Sequence, residues 1–190
     1  TIPAALAGRD VLGLAQTGTG KTAAFVLPIL QGLVSQRRLG PRALILAPTR
    51  ELAMQIDAEA RLLAKFTRAK VMTVFGGVGA GGQIRGLKAN PDIIVACPGR
   101  LLDLMARGVV DLSRIETLVL DEADHMFDMG FLPDIRKILG ALPAKRQNLM
   151  FSATMPAEIR RLADKVLSKP KVVELSHSTP AETIEHALYP

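Results

Sequence analysis

Short, nearly continuous apolar runs alternate along this chain with longer segments of helical periodicity. Runs of this kind are typical of parallel strands that are covered on both faces. Strands that alternate with helices indicate βαβ crossovers, so we predict an α/β protein with a mostly parallel sheet and helices on both faces. The predicted strands are Asp10–Ala15, Arg42–Ala47, Lys70–Phe75, Asp92–Ala96, Thr117–Asp121, Gln147–Phe151 and Lys171–Leu175. The predicted helices are Thr22–Val34, Arg50–Phe66, Gly81–Lys88, Arg100–Arg107, Leu132–Leu142 and Ala157–Leu167.

The predicted helix Arg50–Phe66 is amphipathic. Its apolar residues Leu52, Ile56, Leu63 and Phe66 fall near one face, and its charged residues fall elsewhere. This is the pattern of a helix that packs one side against a core.

Composition and charge limit the classes of protein that remain. The chain has 190 residues, of which 48% are apolar and 22% are charged, so a disordered or fibrous protein is excluded. Lysine and arginine outnumber aspartate and glutamate by 24 to 18, which points weakly to a polyanionic partner. Aromatic residues are scarce, so we expect a nucleic acid to be held by its backbone more than by base stacking.

The sequence also bears on the compartment of the protein, on membrane association and on the domain boundaries. Cys97 is its single cysteine, so no internal disulfide can form and a reducing, cytoplasmic compartment is expected. No apolar run approaches the ~20 residues of a membrane helix, and we expect no membrane partner. Because the first residue is not methionine, we expect a piece of a longer protein. Residues 1–175 are predicted to form one domain, and residues 176–190 the start of a linker.

A glycine-rich loop separates the first predicted strand from the helix that follows it. Ala15 to Thr22 fits the phosphate-binding Walker A pattern, with alanine where the strict pattern has glycine. Its glycines let successive N–H groups point at a phosphate, and the helix N-terminus favours an anion. In such a loop Lys21 reaches the outer phosphates and the Thr22 hydroxyl ligates Mg²⁺. The predicted nucleotide-binding residues are Ala15, Gln16, Thr17, Gly18, Thr19, Gly20, Lys21 and Thr22.

An apolar strand that ends in two acids supplies the second half of such a site. Asp121 follows Thr117–Leu120 and is predicted to hold Mg²⁺ with Thr22. Glu122 is then placed to orient or deprotonate an attacking water. Asp121 and Glu122 alone would also fit a helix N-cap with an acid in the first turn. Together with Lys21 and Thr22 they indicate catalysis, so we predict Lys21, Asp121 and Glu122 as catalytic residues.

The sequence Asp121-Glu122-Ala123-Asp124 resembles the motif that names the DEAD-box ATP-dependent RNA helicases. Other motifs of their N-terminal RecA-like domain follow in the family's order, and the resemblance covers essentially the whole chain. Pro48–Ala53 resembles motif Ia, Gly76-Gly77 the GG motif, Cys97–Arg100 motif Ib, and Ser152–Thr154 motif III. The stretches Ala7–Phe25 and Asp128–Thr154 are similar to the bacterial RhlE-type subgroup.

This resemblance implies a RecA-like P-loop NTPase fold that binds ATP between two such domains and RNA across both. It implies that the RNA backbone is bound by Pro48, Thr49, Arg50, Gly76, Gly77, Pro98, Gly99 and Arg100. Thr49 and Arg50 stand where a strand passes into a helix, so a hydroxyl, a guanidinium and helix N–H groups can converge on one phosphate. Thr49 and Glu51 also fit helix capping.

A link between nucleotide state and RNA binding is implied for Asp124, Ser152 and Thr154. Ser152 and Thr154 carry small hydroxyl groups at a strand exit, where they can bond to Asp124.

The chain also departs from the family pattern. It lacks the Q motif that reads adenine, and it lacks the second RecA-like domain with its arginine fingers. We therefore expect the chain alone to bind ATP or ADP weakly, and neither to hydrolyse ATP at a useful rate nor to unwind RNA. Cys97 stands where motif Ib normally has threonine, and a thiol is the weaker hydrogen-bond donor. Two alternatives stay open: an ATP-gated RNA clamp, and a P-loop ATPase that moves along DNA.

Overall fold

The computed structural model describes residues 1–15, 18–35 and 40–174. The strands in these ranges are β1 (Val11–Leu14), β2 (Ala43–Leu46), β3 (Val71–Val74), β4 (Ile93–Ala96), β5 (Thr117–Leu120), β6 (Gln147–Ser152) and β7 (Lys171–Glu174). The helices are α1 (Ile2–Leu6), α2 (Lys21–Ser35), α3 (Arg50–Leu63), α4 (Ala80–Lys88), α5 (Pro98–Ala106), α6 (Ala123–Asp128), α7 (Leu132–Gly140) and α8 (Ala157–Val166). The predicted linker, residues 176–190, and Leu175 lie outside the described residues.

The seven strands form one sheet in the order β3-β4-β2-β5-β6-β1-β7. Every neighbouring pair is parallel. Each strand predicted from the sequence is present, and within the described ranges its ends differ by at most one residue. The prediction of an α/β fold with a mostly parallel sheet is therefore confirmed.

A layer of helices covers each face of the sheet, which explains why the central strands are apolar at nearly every position. In β2, Leu44 and Leu46 belong to one buried cluster, and Ile45 between them belongs to the other. Helices α5, α7 and α8 contribute to the first cluster, and α2 and α3 to the second. Because neither face of a central strand meets water, no polar alternation is needed.

The prediction for the apolar face of α3 is partly wrong. The helix ends at Leu63, and Phe66 lies beyond it with 94% of its surface exposed. The chain turns there because the Thr67 hydroxyl donates to the Ala64 carbonyl at 2.8 Å. Ile56 is buried as predicted, and small alanines complete the face.

Other helix boundaries shift by a few residues, and two helices were not predicted. Helix α5 begins at Pro98 rather than Arg100, so Gly99 and Arg100 lie in its first turn. Helices α1 and α6 were not predicted at all. None of the described helices is both long and apolar enough to span a membrane.

The parallel arrangement decides where the predicted motifs meet. The strand ends Leu46, Ala96 and Leu120 are register partners, so the loops that follow them emerge side by side. Ligand sites of open α/β sheets lie at this carboxyl edge.

Candidate functional site

The described part of the loop between β1 and α2 contains two glycines in the left-handed region. Gly18 and Gly20 have φ angles of +83° and +78°, a region that side chains disfavour. A Cβ at either position would meet no atom of the described residues within 4 Å, so the backbone conformation, rather than crowding, requires glycine here. Gln16 and Thr17, also predicted for this site, lie outside the described residues.

Lys21 lies at the first turn of α2, with its side chain 9% exposed. Its Nζ donates to the Ala15 carbonyl at 3.2 Å and lies 3.8 Å from Asp121 Oδ1. Thr22 follows in the same turn. The structure thus brings together the two halves of the site that the sequence predicted, although they stand 100 residues apart.

Asp121 is the acid at the end of β5, and it is only 2% exposed. Burial raises the pKa of its carboxyl group to about 6, while the Lys21 ammonium works in the opposite direction. A buried carboxylate gains most from a nearby cation, and carboxylate and hydroxyl oxygens are ligands that Mg²⁺ accepts. The donor set of Asp121 and Thr22 therefore fits a magnesium ion beside the phosphate loop.

Glu122 turns the chain from β5 into α6 in the left-handed region, with φ of +51°. Such a conformation costs a non-glycine residue about 1–2 kcal/mol and persists only where the surrounding structure holds it. Glu122 occupies the N-cap position of α6 with Asp124 in the first turn, but its side chain makes no capping hydrogen bond. Glu122 Oε2 lies 3.4 Å from Nδ1 of His125.

Asp124 joins the β5 exit to the β6 exit. The Thr154 amide and hydroxyl donate to its Oδ2 at 2.8 and 2.9 Å, and the Asp124 amide donates to Ser152 Oγ at 3.2 Å. Burial opposes ionisation of Asp124, but these bonds, from Thr154 above all, outweigh it and lower the pKa of the carboxyl group. The contacts predicted from Ser152 and Thr154 to Asp124 are thus present.

The residues predicted to bind RNA after β2 begin α3. Thr49 caps the helix, since its hydroxyl oxygen accepts from the Leu52 amide at 3.2 Å, while Glu51 lies in the first turn. Arg50 is exposed, whereas Pro48 is buried and cannot present its side chain to a ligand.

The corresponding residues after β4 lie at the start of α5. Cys97 occupies the N-cap position without a side-chain hydrogen bond, and Gly99 is exposed. Arg100 donates from Nη2 to the Val78 carbonyl at 3.0 Å. Its Nη1 is buried and has no hydrogen-bond partner among the described residues. Pro98 is buried, like Pro48.

Sequence reasoning missed three residues that support these loops. Phe151, just before Ser152, packs its ring on Gly13 of β1 and lies 5.5 Å from the Phe25 ring centroid. Phe75 and Gln83 brace the loop after β3. Gln83 could have been noticed as a polar residue on the inner, apolar face of α4, three residues after Ala80 and four before Leu87.

The environment of Cys97 leads to a first prediction. The residue is 8% exposed, and its burial raises the pKa of the thiol to about 11, with a smaller contribution from Glu51. Thiolate is the reactive form, so at pH 8 we expect alkylation at least ~100-fold slower than for an unhindered thiol. Mass spectrometry after timed iodoacetamide treatment measures this rate. Protein unfolded in guanidinium chloride is the control, and equal rates in both states would contradict the prediction.

Comparison with known proteins agrees with the nucleotide site that the geometry indicates. Residues 1–162 match the DEAD/DEAH box helicase family. The chain is 47% identical to the DEAD-box ATP-dependent RNA helicase CshA of Bacillus subtilis, over 92% of this chain and 35% of the relative. It is 49% identical to the ATP-dependent RNA helicase CshA of Listeria monocytogenes, over 92% of this chain and 34% of the relative. It thus spans about a third of the length of these relatives.

Among solved structures, the chain resembles the crystal structure of a hypothetical ATP-dependent RNA helicase from Sulfolobus tokodaii. The TM-score is 0.84 at 42% identity, over 92% of this chain and 50% of that one. The fold expected from the motifs is therefore confirmed as RecA-like. The two CshA relatives are bacterial, while the narrower RhlE-type assignment stays a prediction. From the match over residues 1–162, the chain belongs to the DEAD/DEAH box helicase family.

Proposed function

We propose that this chain is the ATP-binding N-terminal domain of an ATP-dependent RNA helicase. The observation that carries the proposal is the buried pair of Lys21 and Asp121 beneath an open glycine loop, with Glu122 next to it. A cation and an acid held this way suit a nucleoside triphosphate with its magnesium ion. The relatives, which are named ATP-dependent RNA helicases, support the same activity.

In this proposal, the phosphate loop and Lys21 hold the outer phosphates of ATP. Thr22 and Asp121 hold Mg²⁺, which would neutralise the charge that develops on the phosphates during transfer. Glu122 orients the attacking water and accepts its proton. Asp124, Ser152 and Thr154 link the nucleotide site to the β6 exit, because their hydrogen bonds join the two strand ends.

We further propose that RNA lies along the exits of β2, β3 and β4. The N-termini of α3 and α5 and the exposed guanidinium of Arg50 lie there, together with the guanidinium of Arg100, whose side chain is 15% exposed. Such groups suit phosphate oxygens. Gly76 and Gly77 are exposed and allow a close approach of the backbone. The buried Pro48 and Pro98 shape these turns rather than contact RNA.

The remaining parts of the proposal concern partners and location. A second RecA-like domain would complete the ATP cleft and the RNA groove, and the greater length of the relatives supports this. The free thiol of Cys97 suits a reducing compartment such as the cytoplasm.

ATP turnover by the full protein that carries this chain tests the proposal. It is measured with single-stranded RNA, with matching DNA and with neither. We expect stimulation by RNA alone, and a loss of about 10²–10⁴-fold in Glu122→Gln, the range that a general base contributes. Glu59→Gln on α3 makes the same change away from the site and should leave turnover unaltered. The chain alone should bind nucleotide without turnover.

The two alternatives give different results in the same assay. Equal stimulation by DNA would favour a DNA translocase. ATP-dependent RNA binding without turnover would favour a clamp. RNA-stimulated turnover by the chain alone would contradict the need for a second domain.

A further inference from the structure

The loop that follows β3 begins at Phe75, whose backbone is held by the side chain of Gln83. The Gln83 amide group accepts from the Phe75 amide at 3.2 Å and donates to the Phe75 carbonyl at 2.9 Å. Gln83 belongs to α4 and is 7% exposed, and both bonds are partly buried. Phe75 therefore has a fixed backbone at the point where Gly76 and Gly77 begin.

The Phe75 ring in turn meets the first residue of α3. The Arg50 guanidinium carbon lies 4.9 Å from the ring centroid, which is a cation–π contact. Among the described residues, no hydrogen bond or ion pair engages this guanidinium. A stacked guanidinium keeps its N–H groups free in its own plane, where they can bind phosphate.

We propose that Gln83 and Phe75 are positioning residues that hold Arg50 and the Gly76-Gly77 loop in one preformed phosphate-binding surface. This inference rests on the proposed RNA site and deepens it. A long arginine side chain loses freedom when it binds a ligand, and the Phe75 ring removes part of that freedom beforehand. Gln83 acts on Arg50 indirectly, because it fixes the Phe75 backbone that carries the ring.

A double-mutant cycle tests whether Phe75 acts through Arg50. The variants are Phe75→Leu, Arg50→Gln and the pair, and their affinity for a fluorescent single-stranded RNA is measured by anisotropy at low salt. Phe75→Leu should weaken binding about two- to fivefold, as expected for a lost cation–π contact. Arg50→Gln should weaken it about tenfold and lower the salt slope by about 0.7, the effect of one lost phosphate contact on a single strand.

The pair of substitutions gives the decisive result. If Phe75 acts through Arg50, the double variant should bind RNA no more weakly than Arg50→Gln alone. Phe75→Tyr keeps the ring face and should bind like the original chain. Gln83→Met, which removes both hydrogen bonds, should reproduce the effect of Phe75→Leu. In every variant, an unchanged ADP affinity shows that the fold is intact. Gln83→Met should also lower the melting temperature, because it leaves the Phe75 amide and carbonyl without this partner.

The other end of α3 provides a matched control. Lys65 Nζ lies 5.6 Å from the centroid of Phe66, a second cation–π pair at the edge of the sheet opposite the proposed RNA site. Phe66→Leu makes the same chemical change there and should leave RNA affinity unchanged. A loss equal to that of Phe75→Leu would overturn the assignment of a specific role to Phe75.

Failure of this inference can be told apart from failure of the proposed function. If the original chain binds RNA and the effects of Phe75→Leu and Arg50→Gln are additive, the positioning role is wrong and the RNA site stands. If the original chain and the full protein bind no RNA even at low salt, the proposed site is wrong and the inference falls with it.

Discussion

Lys21→Met is expected to weaken ADP binding by about 100-fold. The Lys21 ammonium is held beside the loop by the Ala15 carbonyl and Asp121, so it is in place before a nucleotide arrives. A charge-assisted hydrogen bond contributes about 1.5–3 kcal/mol, and about 2.7 kcal/mol corresponds to 100-fold in affinity. Methionine preserves most of the volume of the side chain and removes only its charge. Titration with a fluorescent ADP analogue measures the change.

The control for this substitution is Lys165→Met, on the exposed side of α8. It removes the same charge from the chain without touching the phosphate loop, and it should leave ADP affinity unaltered. An equal loss in both variants would mean that overall charge, rather than the placed ammonium, binds the nucleotide. An unchanged affinity in Lys21→Met would contradict the assignment of the loop as a phosphate site.

Gly13→Ala is expected to destabilise the domain by about 1–3 kcal/mol, the range found for overpacked cores. A Cβ at this position would lie 2.5 Å from Cδ1 of Phe151, well inside contact distance. The Phe151 ring cannot easily retreat, because it packs against Phe25 and is 2% exposed. At about 2 kcal/mol the melting temperature should fall by about 4–8 °C. Calorimetry with and without ADP measures it.

Alanine substitutions at two other glycines should give smaller losses of stability or a gain, and so serve as comparisons for Gly13→Ala. A Cβ at Gly86 would also collide, but with the flexible thioether of Met72, which can move at low cost. A Cβ at Gly32, inside α2, meets nothing within 4 Å, so Gly32→Ala should stabilise the domain by about 0.5–1 kcal/mol. The expected order of stability is Gly32→Ala, then Gly86→Ala, then Gly13→Ala. A Gly13→Ala variant as stable as Gly32→Ala would show that Phe151 does not confine the strand.

The sequence predicts the sheet well because its strands are apolar on both faces. Such runs as Ala43–Leu46 and Ile93–Ala96 have few alternatives to burial, and the polar residues that follow them mark the strand exits. The pairing of Lys21 with Asp121 could be predicted because two local motifs each point to the same ligand. The contacts from Ser152 and Thr154 to Asp124 were predicted in the same way.

Other features are invisible in the sequence for physical reasons. The six-residue α6 and five-residue α1 are too short to show a helical period. Phe66 was assigned to a buried face because periodicity alone does not show where a helix ends. The contacts of Gly13 with Phe151, and of Phe75 with Arg50, join segments that are remote in sequence, and no local pattern encodes them.

Strand β1 lies between β6 and β7, and this placement has a consequence for how the protein is made. Its two neighbours come from residues 147–152 and 171–174, far along the chain. The buried Asp10 carboxylate, just before β1, accepts from the amides of Asn148 and Ser168. A ribosome that has reached residue 100 of this sequence has therefore made the phosphate loop but neither strand that flanks β1. Pairings between distant segments form slowly, so β1 stays without its neighbours until those residues have been made. Transiently exposed apolar strands favour aggregation, which is the hazard that chaperones counter.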